Sequence, residues 1–290
     1  MKIIVLAPAK INLSLDVKGK RADGYHTLQT VFQAIDWYDR ITVETLPERG
    51  AFAFSCSDKA LETEKNTAHK AAALFRQVTN FTEGISIIVE KSIPQQAGLA
   101  GGSADAAGVL AALNALADYP LPEETLWELG AKIGADVPFC LCGGTALGVG
   151  TGTELTPLSP LSPCYIVIAK PEGGVSTPKA YALLDSAENL FHPDVDGMYA
   201  ALQAGDADGV FSRVGNSFEQ PLSLPETEPI CCTMREHGAK AAALSGSGSA
   251  VFGIFSQKEA ARHCADILQK KYPQTRLCQP CSGILLEKIE

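Results

Sequence analysis

Three places in the sequence combine residue types that could do chemistry. The first is Pro94-Gln95-Gln96-Ala97-Gly98-Leu99-Ala100-Gly101-Gly102-Ser103-Ala104-Asp105, which joins an apolar β-like run to the start of a helical one. Glycines at 98, 101 and 102 let the backbone approach a ligand and turn its N–H groups inward. A helix start behind them adds partial positive charge. This is the make-up of an anion cradle, and also of a plain glycine-rich β–α turn. It is neither a Walker A loop nor a dinucleotide fingerprint, since neither G-x-x-x-x-G-K-[ST] nor G-x-G-x-x-G occurs in the chain. The second place is Ser245-Gly246-Ser247-Gly248-Ser249, which reads as a turn closing over a ligand or as a loose hairpin. The third is a pair of isolated polar residues: Lys10, within Ala7-Pro8-Ala9-Lys10-Ile11-Asn12-Leu13, and Asp136, within Gly134-Ala135-Asp136-Val137-Pro138-Phe139. Beside a phosphate cradle, an Asp can accept the proton of an attacking hydroxyl and a Lys can stabilise the charge that develops. Taken singly, each reads as a surface charge or a structural ion-pair partner.

The elements that must position these residues alternate between β-like and helical runs. Ile3–Leu6, Ile41–Thr45 and Ile85–Glu90 read as strands. Asn66 fits the N-cap of a helix carrying Ala68, Ala71, Leu74, Phe75 and Val78 inward. A second helix starts near Ser103, with Ala106, Leu110, Leu113 and Ala117 as one apolar stripe, and a third runs from about Pro122 to Gly134. Residues 150–163 are rich in Gly, Thr, Ser and Pro and read as a linker or a domain edge. Beyond them, Cys164–Ala169, Ala241–Leu244, Ala250–Phe255 and Ile284–Ile289 read as strands. Ser256-Gln257-Lys258-Glu259 has the form of a capping box, opening a helix with Ala261, Cys264, Ile267 and Leu268 inward. The later half thus looks like an α+β sandwich.

With 290 residues the chain can bury a sizeable core in one large domain or two modest ones. Lys and Arg number 24 against 33 Asp and Glu, a formal charge of -9. A field of that sign repels polyanions and excludes nucleic-acid binding through a general basic surface. Phosphate can still bind through backbone dipoles. No run reaches the length of a membrane span, and the opening MKIIVLAPAK does not read as a signal peptide. Nine scattered cysteines then read as reduced, cytoplasmic thiols. Cys278 and Cys281 form a lone C-x-x-C with no second pair at chelating spacing.

Together the three places resemble the GHMP kinases. The matches are Ala7–Leu13, the Pro94–Ala107 loop and Leu244–Ala250, in the family's order across most of the chain. The resemblance implies a two-domain α+β fold. An N-terminal ATP-binding domain (1–158) resembles part of ribosomal protein S5, and a C-terminal domain (159–290) is ferredoxin-like, with the site between them. It implies ATP and Mg2+ as cofactors, Lys10 and Asp136 as the catalytic pair, and Pro94–Ala104 as the ATP-binding loop. Arg21-Ala22-Asp23-Gly24-Tyr25-His26, Gly134–Phe139, Gly143–Ala146 and Val175–Thr177 further resemble the branch acting on a cytidyl-linked alcohol in non-mevalonate isoprenoid synthesis. That implies a small-molecule partner bound by Asn12, Tyr25, His26 and Tyr181. Tyr25 would stack on the cytosine, His26 would read its polar edge, and Tyr181 would take the opposite face. Without the resemblance, Tyr25 and His26 read as a turn after Asp23-Gly24. Other members imply other alcohols: homoserine, a sugar or a mevalonate. A family fold that binds ligand without catalysis is the remaining alternative.

The loop departs from the family pattern P-x-G-A-G-L-G-G-G-S-S-D-A-A. Gln96 and Ala100 stand at glycine positions and Ala104 at that of a serine. If φ is positive at 96 and 100, their Cβ atoms carry a cost. The expectation is weaker nucleotide binding, tightened by Gln96→Gly, Ala100→Gly and Ala104→Ser together. Asn216-Ser217-Phe218-Glu219 likewise stands where Asn-Asp-Phe-Glu is commoner.

Overall fold

The computed structural model describes residues 1–289. Two long strands open the chain, β1 (Lys2–Lys20) and β2 (His26–Leu46), paired antiparallel from Lys2↔Glu44 to Lys20↔His26. Ile3–Leu6 and Ile41–Thr45 are only the outer parts of these strands. From Ala7 to Val17 every residue of β1 is buried, so alternation of apolar and polar residues no longer marks exposure there. Odd positions (Ala7, Ala9, Ile11, Leu13) enter the core, while even positions bury Lys10, Asn12, Ser14 and Asp16.

The first half continues with β3 (Phe52–Cys56), α1 (Thr67–Thr79), β4 (Gly84–Glu90), α2 (Gly101–Leu116), α3 (Glu123–Ala131), α4 (Val137–Cys142), β5 (Thr145–Gly150) and β6 (Glu154–Pro157). Asn66 caps α1 as expected, its side chain accepting from the Ala68 amide, but Val78 is exposed. α2 packs against β1, β2, α1 and α4. It is buried on nearly all sides rather than along one stripe. Gly108 makes the close approach possible: a Cβ there would lie 2.3 Å from Ile41 Cδ1. The 150–163 stretch is not wholly a linker, because β6 forms within it and pairs with β5.

The second half contains β7 (Tyr165–Lys170), α5 (Thr177–Asp185), α6 (Val195–Ala204), α7 (Ala207–Phe211), β8 (Gly215–Asn216), α8 (Glu219–Leu222), α9 (Thr227–Glu236), β9 (Ala241–Leu244), β10 (Val251–Phe255), α10 (Lys258–Gln269), β11 (Gln274–Cys278) and β12 (Leu285–Ile289). β7, β9, β10 and β11 make an antiparallel sheet in the order β11-β7-β10-β9. With α9 before β9 and α10 before β11, this is the β-α-β-β-α-β pattern of a ferredoxin-like unit. The expected capping box at Ser256 does not form. The helix begins at Lys258 with Gln257 as its N-cap, one residue too late for the Ser256 hydroxyl to cap it.

The other sheet runs β12-β1-β2-β4-β3, with β5 on β2 and β8 beside β1. Both β8 and β12 lie beyond residue 158, so the second half of the chain supplies strands to both sheets. Among the described residues no helix is long and apolar enough to cross a membrane, no His, Cys, Asp and Glu cluster has metal-holding form, and all nine cysteines are free.

Candidate active site

A cleft of ≈1410 Å³ opens where the two sheets and α2 meet. That exceeds a typical single-ligand pocket of about 300–1,000 Å³ and suits two sizeable ligands side by side. One wall is the even-numbered face of β1. Lys10 and Asn12, two residues apart, share that face. Lys10 Nζ donates to Asn12 Oδ1 at 2.8 Å, and Asn12 Nδ2 donates to Thr30 Oγ1 at 2.8 Å. Thr30 in turn donates to the Ser14 carbonyl. The β1–β2 register shifts between Asn12 and Ser14, an irregularity of the kind that re-aims side chains beside sites. Lys10 is 4% exposed. Asp136 Oδ2 lies 3.7 Å from Lys10 Nζ. Asp136 is the N-cap residue of α4, yet its side chain makes no capping bond, so the carboxylate stays available to the cleft.

The loop from β4 to α2 forms another wall. Four successive carbonyls are taken by surrounding protein: Gln96 by the Ser249 amide, Ala97 by the Ala250 amide, Gly98 by Ser245 Oγ at 3.0 Å, and Leu99 by the Lys10 amide at 3.1 Å. The carbonyls therefore face away from the cleft, and the amides of the loop and of the first α2 turn are the groups that can meet an anion. Both Gln96 (φ 50°) and Ala100 (φ 57°) are left-handed, the strained geometry that glycine would relieve. Gly98 (φ +72°) is required, since a Cβ there would stand 1.9 Å from the Ser245 carbonyl oxygen. Pro94 to Gly98 and Ala100 to Ser103 line the cleft. Leu99 and Ala104 do not: they are 1% and 0% exposed and turn into the core. A hydroxyl at position 104 would thus not reach a ligand, which removes the reason for including Ala104→Ser among the loop substitutions.

Ser245–Ser249 is both things its sequence allowed. It is the β9–β10 hairpin, and Gly246, Ser247 and Gly248 line the cleft. Buried Asn216 fixes it by donating to the Leu244 and Gly246 carbonyls, each at 2.8 Å, while Glu219 accepts from the Leu244 amide. The Asn216–Glu219 motif is therefore a brace for this turn. Beneath the loop, Lys91 Nζ bridges the carboxylates of Asp39 and Asp105. Burial pushes the Asp105 carboxyl up to about 7, against the pull of Lys91.

The remaining wall is aromatic. His26 stacks on Tyr181 with ring centroids 4.5 Å apart and planes 24° from parallel, and Phe218 meets Tyr181 edge-on at 5.0 Å. Burial raises the Tyr181 hydroxyl well above its ordinary range. One face of Tyr181 is thus covered by His26. Tyr25 is 67% exposed at the tip of the β1–β2 hairpin and lines the cleft. Its amide donates to Asp23 Oδ1, so the turn reading of this segment holds as well. Asp185, at the end of α5, joins His26 Nε2 (2.6 Å) and Lys20 Nζ (2.6 Å). Sequence reasoning missed Lys20, Thr30, Lys91, Asp185 and Phe218. Their roles depend on partners far along the chain, which no local pattern marks.

The family models described as GHMP kinases N terminal domain and GHMP kinases C terminal match residues 66–144 and 198–274. A Clostridium botulinum (strain Eklund 17B / Type B) protein named 4-diphosphocytidyl-2-C-methyl-D-erythritol kinase is 40% identical over 92% of this chain and 96% of its own. The chain belongs to the GHMP kinase family. A Geobacillus kaustophilus (strain HTA426) protein of the same name is 44% identical to this GHMP kinase chain over 88% of each. A crystal structure described as 4-(cytidine 5'-diphospho)-2C-methyl-D-erythritol kinase superposes with a TM-score of 0.82 at 35% identity, covering 97% of this chain and 100% of that one.

Proposed function

We propose that the protein transfers the γ-phosphate of ATP to the 2-hydroxyl of 4-diphosphocytidyl-2-C-methyl-D-erythritol, a step of non-mevalonate isoprenoid synthesis. The observation that carries the chemistry is the Lys10–Asp136 pair, 3.7 Å apart in a cleft shared with the Pro94–Ser103 loop and the His26–Tyr181 stack. In this reading Asp136 accepts the hydroxyl proton as the oxygen attacks the γ-phosphorus; the bond to the β-phosphate breaks and ADP departs. Lys10, held straight by Asn12, offsets charge on the phosphoryl group in transfer. The loop amides and the α2 N-terminus hold the nucleotide phosphates. Leu99 and Ala104 serve the loop through backbone and packing. Tyr25 stacks on the cytosine and the His26–Tyr181 pair meets its edge.

Magnesium supplies charge neutralisation to the phosphates when bound. The residues fit a magnesium carried mainly by nucleotide and water: the oxygen donors that line the cleft include Ser103 and Asp136, and Mg2+ commonly takes one or two protein ligands beside substrate phosphates. We place the domain division near residue 158, with β8 and β12 returning to the first sheet.

The test is ADP release with Mg·ATP and this substrate, beside Asp136→Asn. The wild type turns over, and the variant is slower by about 10²–10⁴-fold with ATP binding kept. A wild type that binds ATP but leaves this substrate untouched would move the reading to another alcohol. A variant as fast as wild type would remove Asp136 as the base.

A further inference from the structure

Gln96 stands where the family loop carries glycine, and its φ of 50° is left-handed, so the side chain is kept at a cost to the backbone. Its neighbours show a use for it. The strap 171–176, which joins β7 to α5, crosses the β4–α2 loop at this residue. A Cβ on Gly174 would lie 2.7 Å from the Gln96 carbonyl oxygen, 3.0 Å from Gln96 Cβ and 3.4 Å from Gln96 Oε1. The strap therefore rests on the glutamine, backbone and side chain together. One residue earlier, the Gly173 carbonyl accepts from Ser249 Oγ of the β9–β10 turn at 3.0 Å and from Lys170 Nζ at 2.8 Å. Lys170 also donates to the Pro171 carbonyl at 3.0 Å, so a lysine only 8% exposed gives both of these hydrogen bonds to the strap. Residues 172–174 are exposed. Contacts at these few points, rather than burial, hold the segment. Beyond them it belongs to the cleft: Val175, Ser176 and Thr177 line it, and Thr177 opens α5, the helix of Tyr181.

We infer that Gln96 and Lys170 are positioning residues that hold the 171–176 strap ready for the alcohol substrate, so that a side chain of the nucleotide loop sets the KM of the other ligand. This rests on the kinase reading above. A segment already in place need not be ordered when its ligand arrives, whereas a free one must be, at a cost for every residue fixed. The glutamine thus acts across the cleft from the loop that carries it. The backbone strain at position 96 is offset by the order that the side chain gives the strap.

Gln96→Gly and Ala100→Gly, made separately, test this. Each replaces a left-handed residue by glycine, but Ala100 packs on the core and does not meet the strap. In Gln96→Gly we expect the KM for the cytidyl substrate to rise relative to that for ATP by about fivefold, the effect of a few residues left to be ordered by the ligand. Lys170→Met, which removes both hydrogen bonds, raises the same ratio about tenfold. In Ala100→Gly any change falls on ATP. Cleavage after the exposed Glu172 by a glutamate-specific protease, followed by mass spectrometry, reads the strap without turnover, since a held segment resists a protease and a freed one is cut. It should be several times faster in Gln96→Gly and Lys170→Met than in the wild type or Ala100→Gly. A Gln96→Gly enzyme whose two KM values move together, or whose strap is cut at the wild-type rate, overturns the proposal. Faster cutting in the two strap variants of a protein that does not phosphorylate the cytidyl substrate would keep the hold on the strap and sink the kinase reading.

Discussion

The two ends of the cleft are made of different material. The end that we propose takes the phosphates is backbone: four carbonyls tied back into the protein, a helix N-terminus and one glycine that nothing else can replace. The end that we propose takes the base is side chain: a histidine on a tyrosine, an exposed tyrosine at a hairpin tip, and a shared carboxylate. A backbone cradle tolerates exchange of side chains as long as φ is kept. That is why Gln96 and Ala100 can stand at glycine positions and still complete the loop, at a cost of about 1–2 kcal/mol each. A side-chain pocket has no such tolerance, because each group is itself the contact.

The sharpest way to break this contrast is Gly98→Ala. The new methyl group meets the Ser245 carbonyl and the φ is unfavourable, so the lacing between the loop and the β9–β10 turn must open. We expect a stability loss of about 3 kcal/mol in urea titrations and a KM for ATP raised more than tenfold. A wild-type KM for ATP would show that the cradle is not backbone-built. Tyr25→Ala probes the other end. The residue is 67% exposed, so stability stays within about 0.5 kcal/mol. The KM for the cytidyl substrate rises about tenfold or more, the worth of one base–aromatic stack, and that for ATP is unmoved. A parallel rise for ATP would mean that the ends are coupled. The smallest effect belongs to Gln96→Gly with Ala100→Gly. Relief of two left-handed residues, less the entropy that glycine adds to the unfolded chain, leaves a net gain near 1 kcal/mol. Thermal unfolding should move up by about 2 °C, with ATP binding equal or tighter. A lower midpoint would place the strain elsewhere.

Much of this site was legible before the fold was. Lys10, Asp136 and the loop lie in short stretches whose residue types suit the proposed chemistry, and they share one cleft because β1, α2 and α4 pack on one another. Strands and helices with clean periodicity were also readable, as in β4 and α1. Pattern failed where burial was total. In β1 polar residues lie inside, and α2 is covered on nearly all sides, so neither shows the stripe or alternation that marks an exposed face. It failed again at Ser256, where a motif in the right form lay one residue out of place. Asp185 was invisible for another reason. Its partner His26 lies 159 positions away, and only the docking of α5 onto the β1–β2 hairpin brings them together.

The pairing of β12 with β1 has a consequence for how the enzyme comes into being. Leu6 stands opposite Leu285 in this antiparallel pair, 279 positions further along. Contacts of such long sequence separation form slowly, because the intervening loop must close before they reward it. The strand that carries Lys10 keeps the outer part of one edge bare until Leu285–Ile289 has been made and has folded back. A growing polypeptide therefore holds Lys10, the Pro94–Ser103 loop and Asp136 well before β12 is there to close the sheet beside them.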